Sequence, residues 1–340
     1  MATRDVSHLT DVTKLQREPD GSFKRVQSTF RNFIEPGGKF EAEKDRYHLY
    51  VSYGCPWATR TLIVRKLKGL ESIIPVTCVS PRLSKDGWAF ADVDAFPGTD
   101  VDPLFNASYI KDIYLRADPD FSTRFTVPVL WDKKLGTIVN NESSEIIRIF
   151  NSAFNHLLPA EKAALNLYPE NLRAEIDQIN EWVYTDINNG VYKAGFASTQ
   201  SAYESAVIKL FESLDRIAEI LKGHDFLVGE QLTEADVRLF VTIIRFDPAY
   251  VGAFKCNIRT IRDGYPTIHA WLRKLYWSDV FPAFKESTYF DHIKVGYYAA
   301  PAMAQLNPNA VVPVGPLPDI LPLTLWFARA IARWPVAFTP

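Results

Sequence analysis

The chain has 340 residues, with 38 lysines and arginines against 40 aspartates and glutamates, a formal net charge of −2, and 47% hydrophobic and 13% aromatic residues. Such a chain buries a large core over about two domains and is not disordered. Its near-neutral charge, without a dense basic run, offers no surface for nucleic acid.

Three cysteines, Cys55, Cys78 and Cys256, are too few and too odd in number for a disulfide framework and suit a reducing, cytoplasmic compartment. Residues 1–10 lack the apolar core of a secretory signal, and no run of about 18 apolar residues predicts a membrane span.

Residues 1–45 read as a polar, turn-rich extension, with Phe23, Phe30, Phe33 and Phe40 as scattered anchors and a turn at Glu35-Pro36-Gly37-Gly38. The pattern suits an arm draped on a core and equally a partly disordered one. The next stretch, from Tyr47 to Ala58, organises the chain. Its aromatic and β-branched run ends at Gly54, which predicts a strand. Pro56 suits the first position of a helix, and Leu62, Ile63, Leu67 and Leu70 give that helix its apolar stripe.

Cys55 therefore stands at a helix N-terminus, where free N–H groups and the dipole favour a thiolate. Position 58 is alanine, so the site cannot close a disulfide of its own and the second thiol must come from outside. A soluble thiol such as glutathione fits. The bland alternative is a buried cysteine before an amphipathic helix.

Ile73 to Val79 reads as a second strand, parallel to the first through a right-handed βαβ crossover, with Cys78 as a core thiol. From Ser80 to Ser122 periodicity is lost, apart from a short helix at 109–115. Trp88 in this long loop covers a ligand or pins the loop. Thr126 to Asp132 reads as a strand containing Pro128, which suits a sheet edge or a strand start, and an edge invites an added peptide strand.

Thr137 to Asn140 is its hairpin partner. Asn141-Glu142-Ser143-Ser144 opens a helix to Phe154, with Asn141 or Ser143 as cap. Glu142 offers a carboxylate for an ammonium, and Ser143 a hydroxyl and N–H groups for a carboxylate, a matched pair for one α-amino-acid head.

Beyond residue 160 the pattern is helical: 171–188, 202–221, 233–245 and 267–277. Gly190 is expected to end the first of these, and Thr233-Glu234-Ala235-Asp236 reads as a capping box. The order βαβ, ββα, then helices predicts two domains divided near 155–168. Leu321 to Trp334 suits a short amphipathic helix packed on the body or on a partner.

These motifs together resemble the glutathione transferase superfamily, and within it the xi class, the glutathionyl-hydroquinone reductases. The resemblance rests on Tyr-Gly-Cys-Pro-Trp-Ala at 53–58, Gly87-Trp88, Val-Pro-Val-Leu-Trp-Asp at 127–132 and Asn-Asn-Glu-Ser at 140–143. It rests further on the run from Asn188 to Ala197 and on Phe-Asp-Pro-Ala-Tyr at 246–250. It implies a thioredoxin-like, glutathione-binding domain over 46–158, an all-helical domain over 165–300 and a tail over 301–340.

It also implies roles. Cys55 is the nucleophile, and Trp88, Arg124, Val127, Glu142 and Ser143 hold glutathione, with Pro128 as a cis-proline. Tyr192 is the proton donor, and Tyr250 and Tyr297 close over Cys55. Glutathione is a co-substrate, no metal is needed, and such enzymes are usually homodimers. Gly296 stands where the class usually carries histidine, which leaves Tyr298 as an alternative to Tyr297. An omega-like thioltransferase or dehydroascorbate reductase, or a non-catalytic ligand-binding module, shares most of these motifs.

Overall fold

The computed structural model describes residues 16–303 and 307–315. The start at 1–10 and the expected tail helix at 321–334 lie outside the described residues. Among the described residues the sheet has four strands in the order β2-β1-β3-β4. Strand β1, Tyr47–Val51, is buried along its whole length. It turns at Gly54 into helix α1, Pro56–Leu67, with Cys55 as N-cap and proline at the first helical position.

Strand β2, Val76–Cys78, runs parallel to β1, with Leu49 opposite Val76 and Val51 opposite Cys78, as the βαβ spacing predicts. Strand β3, Val129–Asp132, pairs antiparallel with β1, and β4, Thr137–Asn140, pairs antiparallel with β3.

Pro128 does not lie on a sheet edge, contrary to one of the two expectations. Strand β3 begins at Val129 and lies between β1 and β4, so it has no free edge for a peptide. Pro128 precedes the strand, joined to Val127 by a cis bond, where its missing N–H removes no ladder hydrogen bond. The exposed side of β4 is covered by the N-terminal arm. Asn32 N–H donates to the Val139 carbonyl and Asn141 N–H to the Phe30 carbonyl. The arm is thus bound to the sheet from its own side.

The long loop after β2 is held by its acids. Asp102, fully buried, accepts the Tyr50 hydroxyl at 2.8 Å and the backbone N–H groups of Leu104, Phe105 and Ala107. Asp100 accepts Cys78 N–H, and Asp94 accepts the Ser80 hydroxyl. Helix α2, Ile110–Ala117, follows in the same loop. Helix α3, Ser143–Ser152, starts at Glu142, whose own carboxylate caps the Ser144 N–H; the expected caps, Asn141 and Ser143, are not used.

The second half is helical: α4, Arg173–Trp182; α5, Gly190–Phe196; α6, Gln200–Ile220; and α7, Glu234–Arg245. Helix α8, Pro266–Tyr276, and α9, Phe290–Tyr298, come after them in the chain. Thr233 and Asp236 form the expected capping box of α7.

Gly190 does not end a helix. Helix α4 widens into a π-helical turn over Val183–Asn188, and Gly190 opens α5, where a Cβ would lie 3.7 Å from Leu210. Buried Asn188 makes this turn possible by donating to the Arg238 carbonyl and the Thr242 hydroxyl, contacts no local sequence rule foresees. The buried apolar side chains of sheet and helices form one continuous cluster. The architecture is a thioredoxin-like N-terminal domain joined to a helical C-terminal domain. Among the described residues no helix is long and apolar enough to cross a membrane.

Candidate active site

Cys55 is half-buried at the start of α1, and its Sγ–H donates to the Val127 carbonyl at 3.6 Å, next to the cis bond. Burial pushes the Cys55 thiol up. Against this work the backbone N–H groups of Ala58 and Trp57 and the charges of Arg245 and Arg25. The helix start thus pulls toward the thiolate as expected, but in this arrangement burial outweighs it. Cys78 and Cys256 are buried and free, and burial pushes each up to about 12, the value of an inert core thiol.

The turn that carries Cys55 is gripped from the helical domain. Arg245, at the end of α7 and wholly buried, donates to the carbonyls of Gly54 at 3.1 Å and Tyr53 at 3.2 Å and to the Thr59 hydroxyl at 2.7 Å. Arg245 escapes a reading of the sequence because its residue type and its place in an apolar helix give no sign of a partner some 190 positions away.

Two clefts lie to either side of the Cys55–Val127 contact, Cys55 in the wall of one and Val127 in the wall of the other. One is apolar, about 150 Å³, lined among others by Cys55, Trp88, Tyr192, Phe254, Tyr297 and Met303. The Tyr192 and Tyr297 hydroxyls lie 2.7 Å apart, and those of Tyr250 and Tyr297 2.9 Å apart. Burial pushes all three phenols up. Tyr250 stands behind the cleft wall and supports Tyr297.

The three hydroxyls bond one another, while the hydrogen bond of Cys55 runs to Val127. Of the two alternatives Tyr297 lines the apolar cleft, and the Tyr298 hydroxyl lies against Gly252. Gly296 lines the apolar cleft, where a Cβ would come no closer than 3.4 Å to the Pro81 carbonyl.

The second cleft is polar, about 240 Å³, and includes Arg25, Ser28, Trp57, Val127, Glu142 and Ser143 in its walls. Burial by itself would raise the Glu142 carboxyl. The N–H and hydroxyl of Ser144, the Arg60 charge and the Ser28 hydroxyl together hold it below its ordinary value. Ser143 Oγ accepts from Arg60 at 3.4 Å.

Of the expected glutathione-holding residues, Val127, Glu142 and Ser143 line this cleft. Trp88 lines the apolar one instead, and part-exposed Arg124, three residues before Val127, is not among the residues of either wall. The arm supplies what the sequence did not announce. Arg25 lies over Trp57 and Tyr192, Ser28 reaches Glu142, and Arg31 pairs with Glu145. Segments without periodicity carry no signal for such contacts.

A cysteine at a helix start, facing the residue before a cis-proline under a helical domain, is the arrangement of the glutathione transferase fold. The pattern of the glutathione S-transferase N-terminal domain matches residues 54–153 and that of the C-terminal domain residues 200–274. The crystal structure of glutathione-S-transferase Xi from Phanerochaete chrysosporium is 66% identical, with TM-score 0.89, over 92% of this chain and 99% of that one.

Glutathione S-transferase omega-like 2 of Schizosaccharomyces pombe is 52% identical over 92% of this chain and 98% of its own length. Glutathionyl-hydroquinone reductase YqjG of Escherichia coli is 50% identical over 88% of this chain and 90% of its own. A glutathione-bound structure of YqjG aligns with TM-score 0.81 at 48% identity, covering 89% of this chain and 96% of that one. The chain belongs to the glutathione transferase family, in its xi class.

Proposed function

We propose that the protein is a glutathione-dependent reductase that removes glutathione from glutathionyl-hydroquinones through a Cys55–glutathione disulfide. The observation that carries this reading is that Cys55, in the wall of an aromatic-lined cleft, touches Val127, in the wall of a polar one, with Ala58 where a resolving cysteine would stand. A glutathione conjugate has both halves, a zwitterionic peptide and an apolar ring.

Glu142 takes the γ-glutamyl ammonium, Ser143 the carboxylate of the same head, and Val127 the peptide backbone. Trp88 faces the ring from the wall of the apolar cleft. Cys55 loses its thiol proton to solvent and, as the thiolate, attacks the conjugate sulfur. The sulfur–carbon bond breaks, its electron pair goes to the ring carbon, and that carbon takes a proton from Tyr192. The hydroquinone leaves, and Cys55 is joined to glutathione. A second glutathione thiolate attacks the glutathione sulfur of this disulfide, releasing glutathione disulfide and the Cys55 thiolate. No metal enters the scheme. Cytoplasmic residence and a homodimer accord with this reading.

A second reading is a thioltransferase that uses the same cysteine; the Schizosaccharomyces pombe relative carries the name omega-like. The aromatic cleft favours ring conjugates over small disulfides. The deciding assay compares glutathionyl-hydroquinones with small mixed disulfides and follows the protein mass after mixing with oxidised glutathione. The wild type gains one glutathione at Cys55, Cys55→Ser gains none and loses turnover by several orders of magnitude, and ring conjugates are the better substrates. Near-normal turnover in Cys55→Ser defeats the reading, and preference for mixed disulfides moves it to the thioltransferase.

A further inference from the structure

The arm across the site leaves one cationic donor unused. The Arg25 guanidinium lies against two rings, its central carbon 4.8 Å from the Trp57 centroid and 4.7 Å from the Tyr192 centroid. Nε donates to Asn189 Oδ1 at 2.6 Å. Nη2 is buried and has no hydrogen-bond partner among the described residues. A buried donor on a charged group is costly to leave unmatched, more so than a neutral one. Rings and Nε together fix the plane of the guanidinium and leave Nη2 as its unmatched donor.

The surroundings say which acceptor. Arg25 lines the polar cleft with Glu142 and Ser143. Three residues further along the arm, Ser28 Oγ donates to Glu142 Oε2 and to the Asn141 carbonyl, both at 3.2 Å. This part of the arm therefore lies at the α3 end of the cleft. The other cation in the wall, Arg31, is taken by Glu145. Glu142 is already engaged by Ser144 and Ser28. A ligand head with one ammonium and one carboxylate would thus find Glu142 for the first and the unmatched Nη2 of Arg25 for the second.

We propose that Arg25 binds the α-carboxylate of the γ-glutamyl head of glutathione, together with Ser143. The assignment rests on the reading of the cleft as a glutathione site. It gives the N-terminal arm a part in substrate binding and not only in covering β4.

The test is calorimetric titration of the reduced full-length protein with three peptides. These are glutathione, γ-glutamylcysteine, which lacks the glycyl carboxylate, and 4-aminobutyryl-cysteinylglycine, which keeps the amine but lacks the α-carboxylate. Arg25→Gln weakens glutathione and γ-glutamylcysteine by about tenfold to a hundredfold, the usual range for a charge-assisted hydrogen bond. It leaves the aminobutyryl peptide unchanged, and Arg25→Lys recovers part of the loss.

An equal loss for all three peptides makes Arg25 a structural residue and overturns the proposal. So does no loss at all, or a loss for glutathione but not for γ-glutamylcysteine, which places Arg25 at the glycyl end. Failure of the wild type to bind glutathione overturns the functional reading instead.

Discussion

Tyr297 is the hub of the site's hydroxyls, bonded to Tyr192 on one side and Tyr250 on the other. A phenol donates one hydrogen bond and accepts others, so this chain can be fully satisfied while Tyr192 keeps a proton to give. Burial pushes all three phenols up, which keeps them neutral at pH 7 and suits an acid whose proton goes to a carbanion-like ring carbon. Tyr192→Phe is expected to slow ring release in single turnover by about 10²- to 10⁴-fold, the usual contribution of a positioned acid, with glutathione affinity nearly intact. Tyr297→Phe removes the shared partner of both neighbours, and its expected effect on the same step is smaller, about tenfold. Equal rates for Tyr192→Phe and wild type would remove Tyr192 from the acid role. That Tyr297 and not Tyr298 faces the cleft was not legible in the sequence, because neighbouring residues on a helix point about 100° apart and only packing sets the helix rotation.

Helix α1 delivers Cys55, and α7 holds the turn before it. Arg245 reaches from the last turn of α7 to the Gly54 and Tyr53 carbonyls and the Thr59 hydroxyl, all buried or nearly so. Arg245→Met keeps the apolar stem but strips three acceptors of their donor. The expected cost is about 2–4 kcal/mol in urea unfolding, from buried acceptors left unmatched. Slower reaction of Cys55 with oxidised glutathione is expected to accompany it. Unchanged stability together with unchanged thiol reactivity would show that the turn holds itself. Elements like α1 and β1 could be read directly, since a proline after a glycine turn and an apolar stripe are local signals. The start of β3 and the turn at Asn188 could not. Pro128 allowed either an edge or a strand start, and only pairing on both sides of β3 decides. Asn188 looks like a helix end until its amide is seen bonded to Arg238 and Thr242 on α7. The arm lay furthest from view, because its hold on β4, Glu142 and Tyr192 is made by isolated residues with no period.

Sheet and helical domain are joined through buried charged and polar groups, and two buried titratable groups make stability depend on pH. Arg60 of α1, held by Asn188 and stacked on Trp57, is pushed down to about 9 by burial and by Arg238. At the centre of the sheet, His48 is 3% exposed, with Nε2 2.7 Å from the Thr77 hydroxyl. Burial pushes His48 down to about 4 from an ordinary value of 6.5, against the attraction of Asp102. In the native protein it therefore stays neutral where the unfolded chain takes up a proton. Its contribution is fully present above pH 6.5 and is lost as the pH falls toward 4. Asp236, which burial raises to about 6, runs the other way: the native state holds that proton more tightly, so stability is lost as the pH rises from 3.8 through 6. The two partly cancel in the wild type, and a flat pH profile alone would reveal neither. Comparison with His48→Gln separates them, because Asp236 is common to both proteins. From about pH 7.5 to about pH 4.5 the wild type is expected to lose about 2 kcal/mol relative to the variant, read from urea midpoints at each pH. Parallel profiles would mean that the imidazole gains a proton in the native sheet, and with it that β1 and β2 open enough to admit water.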